Sequence, residues 1–105
     1  MPVVGAPSGA ILWQPDAARI ERSHLQRFTA WVAARHGRVF PDYASLHGWS
    51  VDEPTEFWGE LATFCDLRLH RGPDCILDAS GGMAGARWFA GATLNVAENL
   101  LRFRD

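Results

Sequence analysis

The chain contains no lysine: all ten of its basic residues are arginine. A phosphate loop that works through a lysine is therefore beyond these residues. Cysteine is scarce too. Cys65 and Cys75 are too few for a disulfide framework and lack CxxC spacing, so both are expected as reduced thiols, Cys65 partly buried. Positive charge is not in excess either. A formal net charge of −2 gives no electrostatic reason to expect a nucleic acid or an anionic membrane as partner. Long hydrophobic runs are missing as well: the opening MPVVGAPSGAILW has no charged n-region and is interrupted by Pro2, Gly5, Pro7 and Gly9. It reads as neither signal peptide nor membrane span, and a cytoplasmic location is expected. No internal repeat or low-complexity tract is visible.

What is present is the material of a packed core. Hydrophobic residues make up 48% of the 105, with five Trp and six Phe. One domain of this size buries roughly 65% of the surface that its unfolded chain exposes. Residues 1–11, rich in Pro, Gly and small side chains, read as a flexible leader, and 12–105 as the domain. A helical region follows. Pro15 and Asp16 suit a first turn, Ser23 caps HLQRFTAWVAARHG with Leu25, Phe28 and Val32 on one stripe and Trp31 beside it, and Gly37 ends it. Asp42 caps a short helix ended by Gly48. Ser50 and Glu53 have capping-box spacing, with Pro54 in the first turn and Phe57, Leu61 and Phe64 as the apolar stripe, leaving Glu56 and Glu60 on the solvated side. CILDAS and ARWF, bounded by Gly, Pro and Ser, read as short strands around the loop SGGMAG. The fold class expected is mostly α with short β segments, α+β.

Candidate chemistry is thin. The SGGMAG loop, Ser80 to Gly85, lacks the lysine of a phosphate cradle. His24, His36, His47 and His70 are without the i, i+4 or HxH spacing of metal ligands and suit surface or helix-end roles. Asp52, Glu53, Glu56 and Glu60 suit the first turns of a helix better than an acid/base pair. No serine sits in a GxSxG elbow. In the closing stretch GARWFAGATLNVAENLLRFRD, Trp88 and Phe89 read as core anchors, Gly91 as a backbone turn, and Asn95 with Glu98 as the capping box of a last helix.

Three stretches carry a likeness. LWQP at Leu12 to Pro15, GWSVDEPTEFWGEL at Gly48 to Leu61 and ARWFAGATLNVAENLLR at Ala86 to Arg102 resemble the N-terminal segment of the AMP-forming short-chain acyl-CoA synthetases, most closely the branch that activates acetoacetate. The likeness runs over about residues 11 to 104, and its motif positions, read as structural, are Trp49, Phe57, Trp58, Arg87, Trp88, Phe89, Gly91, Asn95, Glu98 and Asn99. The acetyl and propionyl branches are similar around Trp-Phe and Leu-Asn but diverge at AENLL, and they stay as an alternative. So does an interaction module derived from the family; a small thiol or metal protein is a weaker third.

The resemblance implies a small N-terminal domain of an adenylate-forming ligase. Such an enzyme joins acetoacetate to ATP, releases pyrophosphate and passes the acyl group to coenzyme A, with magnesium accompanying the nucleotide. The segment seen here precedes the main nucleotide-binding domain and packs onto it, which makes that domain the expected partner. The family's phosphate loop, its Tyr-Gly-x-Thr-Glu motif, its swinging C-terminal domain and its catalytic lysine have no counterpart in these residues. No catalytic, cofactor-binding or metal residue carries over, so ATP, Mg and CoA belong to the parent enzyme. The chain is accordingly expected to be an N-terminal fragment, inert alone, that ends where the helix leading into the main domain begins.

Overall fold

The computed structural model describes residues 7–103; residues 1–6 of the expected leader, and 104–105, lie outside the described residues. Five helices and one two-stranded sheet follow in the order α1 (Ala17–Glu21), α2 (His24–His36), α3 (Tyr43–Asp52), α4 (Pro54–Phe64), β1 (Cys75–Asp78), β2 (Arg87–Ala90) and α5 (Val96–Leu101). The class is mostly helical, as expected.

Local chemistry sets most of the helix ends. Asp16, Ser23 and Asp42 each place a side-chain oxygen at a helix start, accepting from the backbone N–H of Arg19, Gln26 and Ser45. Each satisfies one of the four N–H groups that a helix start leaves without a partner. Gly37 stops α2 in the left-handed region at φ 60°, where its N–H donates to Ala33 O. That is the conformation a side chain disfavours and glycine does not.

The α3–α4 junction departs from expectation. Gly48 does not end α3, which continues to Asp52. A helical glycine costs about 1 kcal/mol, but burying an aromatic on the next position contributes roughly 1.5–3 kcal/mol, and Trp49 is the residue so buried. Because α3 runs through Ser50, the expected Ser50–Glu53 capping box is not formed; the Ser50 hydroxyl donates to His47 O instead. The break falls at Glu53, which precedes Pro54 and is pushed out of the helical region to φ −126°, ψ 62°.

The core is helical. Phe28 and Val32 of α2 and Leu46 and Trp49 of α3 are buried, with Trp31, Phe40, Phe57, Leu61 and Phe64 packed around them. Leu25, expected on the same stripe, is half exposed. Phe28 meets Phe57 and Phe64 edge-on at centroid distances of 5.8 and 5.3 Å, geometry that aromatic quadrupoles favour.

Glu56 and Glu60 do not occupy a solvated face. Glu56 Oε1 lies 2.6 Å from His36 Nδ1, and Glu60 accepts from Arg35 Nε at 2.6 Å while its side chain is only 17% exposed. The hydrogen bond to Glu60 holds the Arg35 guanidinium above its ordinary pKa; burial opposes this and the carboxylate's charge adds to it. These pairs stitch α2 to α4, a neighbour that the periodicity of α4 alone does not reveal. Beyond α4 the chain leaves the helical core: β1 packs on α4 and pairs antiparallel with β2.

Candidate interface

The resemblance positions fall into three places. Trp49 and Phe57 belong to the helical core. Trp58, Trp88 and Phe89 line one open cavity of about 420 Å³ on the other side of α4. Gly91, Asn95, Glu98 and Asn99 lie in the turn and helix that follow, and Arg87 sits opposite Asp78 in the hairpin.

The cavity depends on one unusual residue. In a strand, successive side chains point to opposite faces, so Trp88 and Phe89 should part. Here they line the same cavity. The ladder pairs Cys75 with Ala90 and Leu77 with Trp88, but the intervening step, Ile76 opposite Phe89, drops out where Phe89 turns left-handed at φ 48°. A bulky side chain rarely adopts that conformation. The turn brings both rings to the face where the Trp58 indole meets that of Trp88 edge-on at 5.6 Å.

Trp88 and Phe89 are thus not core anchors. Trp88 stays 48% exposed and Trp58 40%, and neither joins the buried cluster. Neither propensity nor spacing signals a left-handed phenylalanine; the sharp turn that Gly91 makes next, at φ 80°, is the nearest sequence clue.

The last helix is built differently from the others. Asn95 Oδ1 accepts from Glu98 N at 3.1 Å and starts α5. The Glu98 carboxylate does not reach back to complete a capping box and lies 3.1 Å from His70 Nε2. Asn99 folds its carboxamide onto the backbone of Arg68, accepting from its N–H at 2.8 Å and donating to its carbonyl at 2.9 Å. Arg102 donates to the carbonyls of Cys65 and Asp66 at the C-terminus of α4. Asp66, at φ 52°, turns the chain there. No residue of α5 is buried, and Val96, Leu100, Leu101 and Phe103 are exposed. The motif includes Asn99 but points to no partner for it, because that partner is backbone thirty-one residues away.

A groove of about 380 Å³ between α2, α3 and α4 is lined by Leu25, Phe28, Leu46, Phe57, Leu61 and Phe64, together with His24, Tyr43, His47, Ser50 and Cys65. Both thiols are free; Cys65 is exposed rather than partly buried, since it caps the outer end of α4. Among the described residues no three His, Cys, Asp or Glu side chains converge on a point where a metal could sit. Asp78 is held below the usual carboxylate range, first by the Ser80 hydroxyl, then by the Ser80 N–H, with Arg87 adding to both against a desolvation that opposes them. That arrangement closes a turn.

The surface is out of proportion to the mass. A self-contained globular protein of this size exposes about 5,800 Å², whereas this chain, at 11.6 kDa, exposes 8375 Å². Its radius of gyration of 18.8 Å likewise exceeds the roughly 13 Å of a compact domain. Ile11, Leu12 and Trp13 in the segment before α1 are exposed, as are Trp58 and Trp88 at the aromatic cavity and Leu100, Leu101 and Phe103 in and after α5.

The profile of the acetyl-coenzyme A synthetase N-terminus family matches residues 43–100, from the first residue of α3 into α5. The chain belongs to that family. Acetyl-coenzyme A synthetase N-terminus domains with similar sequences include the start of acetoacetyl-coenzyme A synthetase from Rhizobium meliloti, 42% identical over 87% of this chain and 14% of that protein. Malonamoyl-CoA synthetase from Penicillium aethiopicum is 36% identical over 87% of this chain and 12% of its own length. The solved acetoacetyl-CoA synthetase from Streptomyces lividans superposes with a TM-score of 0.76 and 46% identity, covering 86% of this chain and 14% of that one. The chain therefore spans about one seventh of the relatives it matches, their N-terminal part. Among the described residues no helix is long and apolar enough to cross a membrane.

Proposed function

We propose that this chain is the N-terminal structural domain of an AMP-forming ligase that converts acetoacetate, ATP and CoA to acetoacetyl-CoA, AMP and pyrophosphate. Its own part is to pack against the catalytic body. The observation that carries this is the apolar surface left open around the aromatic cavity and on α5, where Trp88, Leu100 and Leu101 stand 48%, 75% and 54% exposed, the kind of surface that marks an interaction site. The two acids in the relatives' names, acetoacetate and malonamate, are both short carboxylates with a carbonyl at C3, which favours that substrate class over acetate. ATP, magnesium and CoA are assigned to the body, as is the cytoplasmic location that those substrates suit.

A complementation assay tests the reading. The catalytic body of the Streptomyces lividans enzyme, produced without its own N-terminal segment, is joined behind this chain, and pyrophosphate release is followed with acetoacetate, ATP and CoA. We expect the joined protein to turn over acetoacetate and this chain alone to release none. Equal activity of the body with and without this chain would overturn the packing role; acetoacetate-dependent release by the chain alone would overturn its inertness.

A further inference from the structure

The inter-element packing runs α1 on α2, α2 and α3 on α4, α4 on β1, and β1 on β2; α5 has no comparable share. A six-residue helix is far too short to persist alone in water. Something other than apolar burial must hold it. What the structure supplies is a polar clasp: the Asn99 carboxamide bound at both ends to Arg68, a second Nδ2 bond to Asn95 O at 3.0 Å, and Arg102, which donates to Asn99 Oδ1 at 3.1 Å as well as to the two carbonyls at the end of α4. Arg102 so placed also opposes the partial negative charge at the C-terminus of α4.

We infer that α5 is a docking arm, held to the domain through Asn99 and Arg102 so that its apolar residues stay free to meet the catalytic body of the ligase. This rests on the reading above. A helix packed on its own domain would spend Leu100 and Leu101 on that packing, whereas here they are 75% and 54% exposed beside Phe103 at 76%. The occupant is the body because the family match extends to residue 100, inside α5, while the chain spans only 14% of the ligases it matches. Asn99 and Arg102 are positioning residues. Their hydrogen bonds are to the domain's own backbone and to each other, so they preset the arm, which lowers the ordering cost of association.

Two measurements on the whole chain decide it. Amide exchange of α5 should quicken at least tenfold in Asn99→Ala and Arg102→Gln, with the amides of α2 and α4 unchanged. Affinity for the separately produced Streptomyces lividans body should fall at least tenfold in the same variants. Leu100→Ser, which leaves the clasp intact, should weaken binding with α5 exchange unchanged. Unaltered α5 exchange in Asn99→Ala overturns the clasp whatever the binding shows. Faster exchange with undiminished affinity, or full affinity in Leu100→Ser, overturns the docking role. If the unsubstituted chain does not bind the body, the ligase reading and the docking role fall together, while exchange still decides the clasp.

Discussion

Replacing Phe89 separates two accounts of the closing stretch. If Phe89 were a core anchor, truncation to alanine would cost about 3–5 kcal/mol. The structure predicts less, and predicts an inverted order between alanine and glycine. Phe89 is half-buried against an open cavity, so the burial lost is roughly 1 kcal/mol, part of the 1.5–3 kcal/mol of a fully buried ring. Its φ of 48° costs any residue with a Cβ about 1–2 kcal/mol. At an ordinary strand position glycine is less stable than alanine by roughly 0.5–1 kcal/mol because the unfolded chain gains freedom. Here relief of the left-handed strain outweighs that loss, and Phe89→Gly should be the more stable of the two by up to about 1 kcal/mol. Urea midpoints of Phe89→Ala and Phe89→Gly, with equal slopes, measure the difference directly. A Phe89→Gly midpoint below that of Phe89→Ala would show that the residue is not strained, and the account of how Trp88 and Phe89 share a face would fail.

Other outcomes follow from the same geometry. A Cβ on Gly91 would meet Asp74 Oδ2 at 2.6 Å on top of a φ of 80°, so Gly91→Ala should cost about 1–2 kcal/mol for the backbone, plus a steric part that Asp74→Ala restores in the double variant. Thermal melts of the four proteins check this. Asn95→Ala should cost α5 about 1 kcal/mol, read as roughly fivefold faster exchange of its amides rather than as a lower global melting point, and Asn95→Asp or Asn95→Ser should recover most of it. Asp78 has a depressed pKa in the folded chain. Its contribution to stability is therefore complete above its unfolded value, near 4, and is lost as pH falls through the folded one. Asp78→Asn should flatten the acid side of a stability–pH profile and change nothing in that profile's shape between pH 6 and roughly 8.

Where one residue decides an outcome by itself, the sequence was readable. Ser23, Asp42 and Asn95 cap the helices they were expected to cap, and Gly37 stops α2, because a cap needs only its own side chain and the backbone three residues on. The two strands were legible for the same reason: Gly and Pro bound them. Misreadings arise where a distant partner decides. Gly48 failed as a stop because Trp49 had a core to enter, and Ser50 could not cap a helix while still inside the previous one. Glu60 reads as solvated from its place on α4 alone, though Arg35 and His36 of α2 lie over it. The interface was the least legible part. A single left-handed φ reverses the face of Phe89, and the clasp of Asn99 closes on backbone that no local pattern points to.

The helix α4 carries the buried helices on one side and, on the other, the hairpin through Gly59 and Trp58. It is a strut about 16 Å long. Gly59 faces Ile76, whose Cγ1 would stand 3.8 Å from an added Cβ, so alanine fits and a larger side chain acts as a wedge. The tilt of the hairpin is thus adjustable at a position that does not line the cavity. Changing residue 59 by increments of size would swing the aromatic cavity relative to the helical body while altering no residue that lines it. A partner that tolerates Gly59→Ala but rejects Gly59→Val would be measuring an angle.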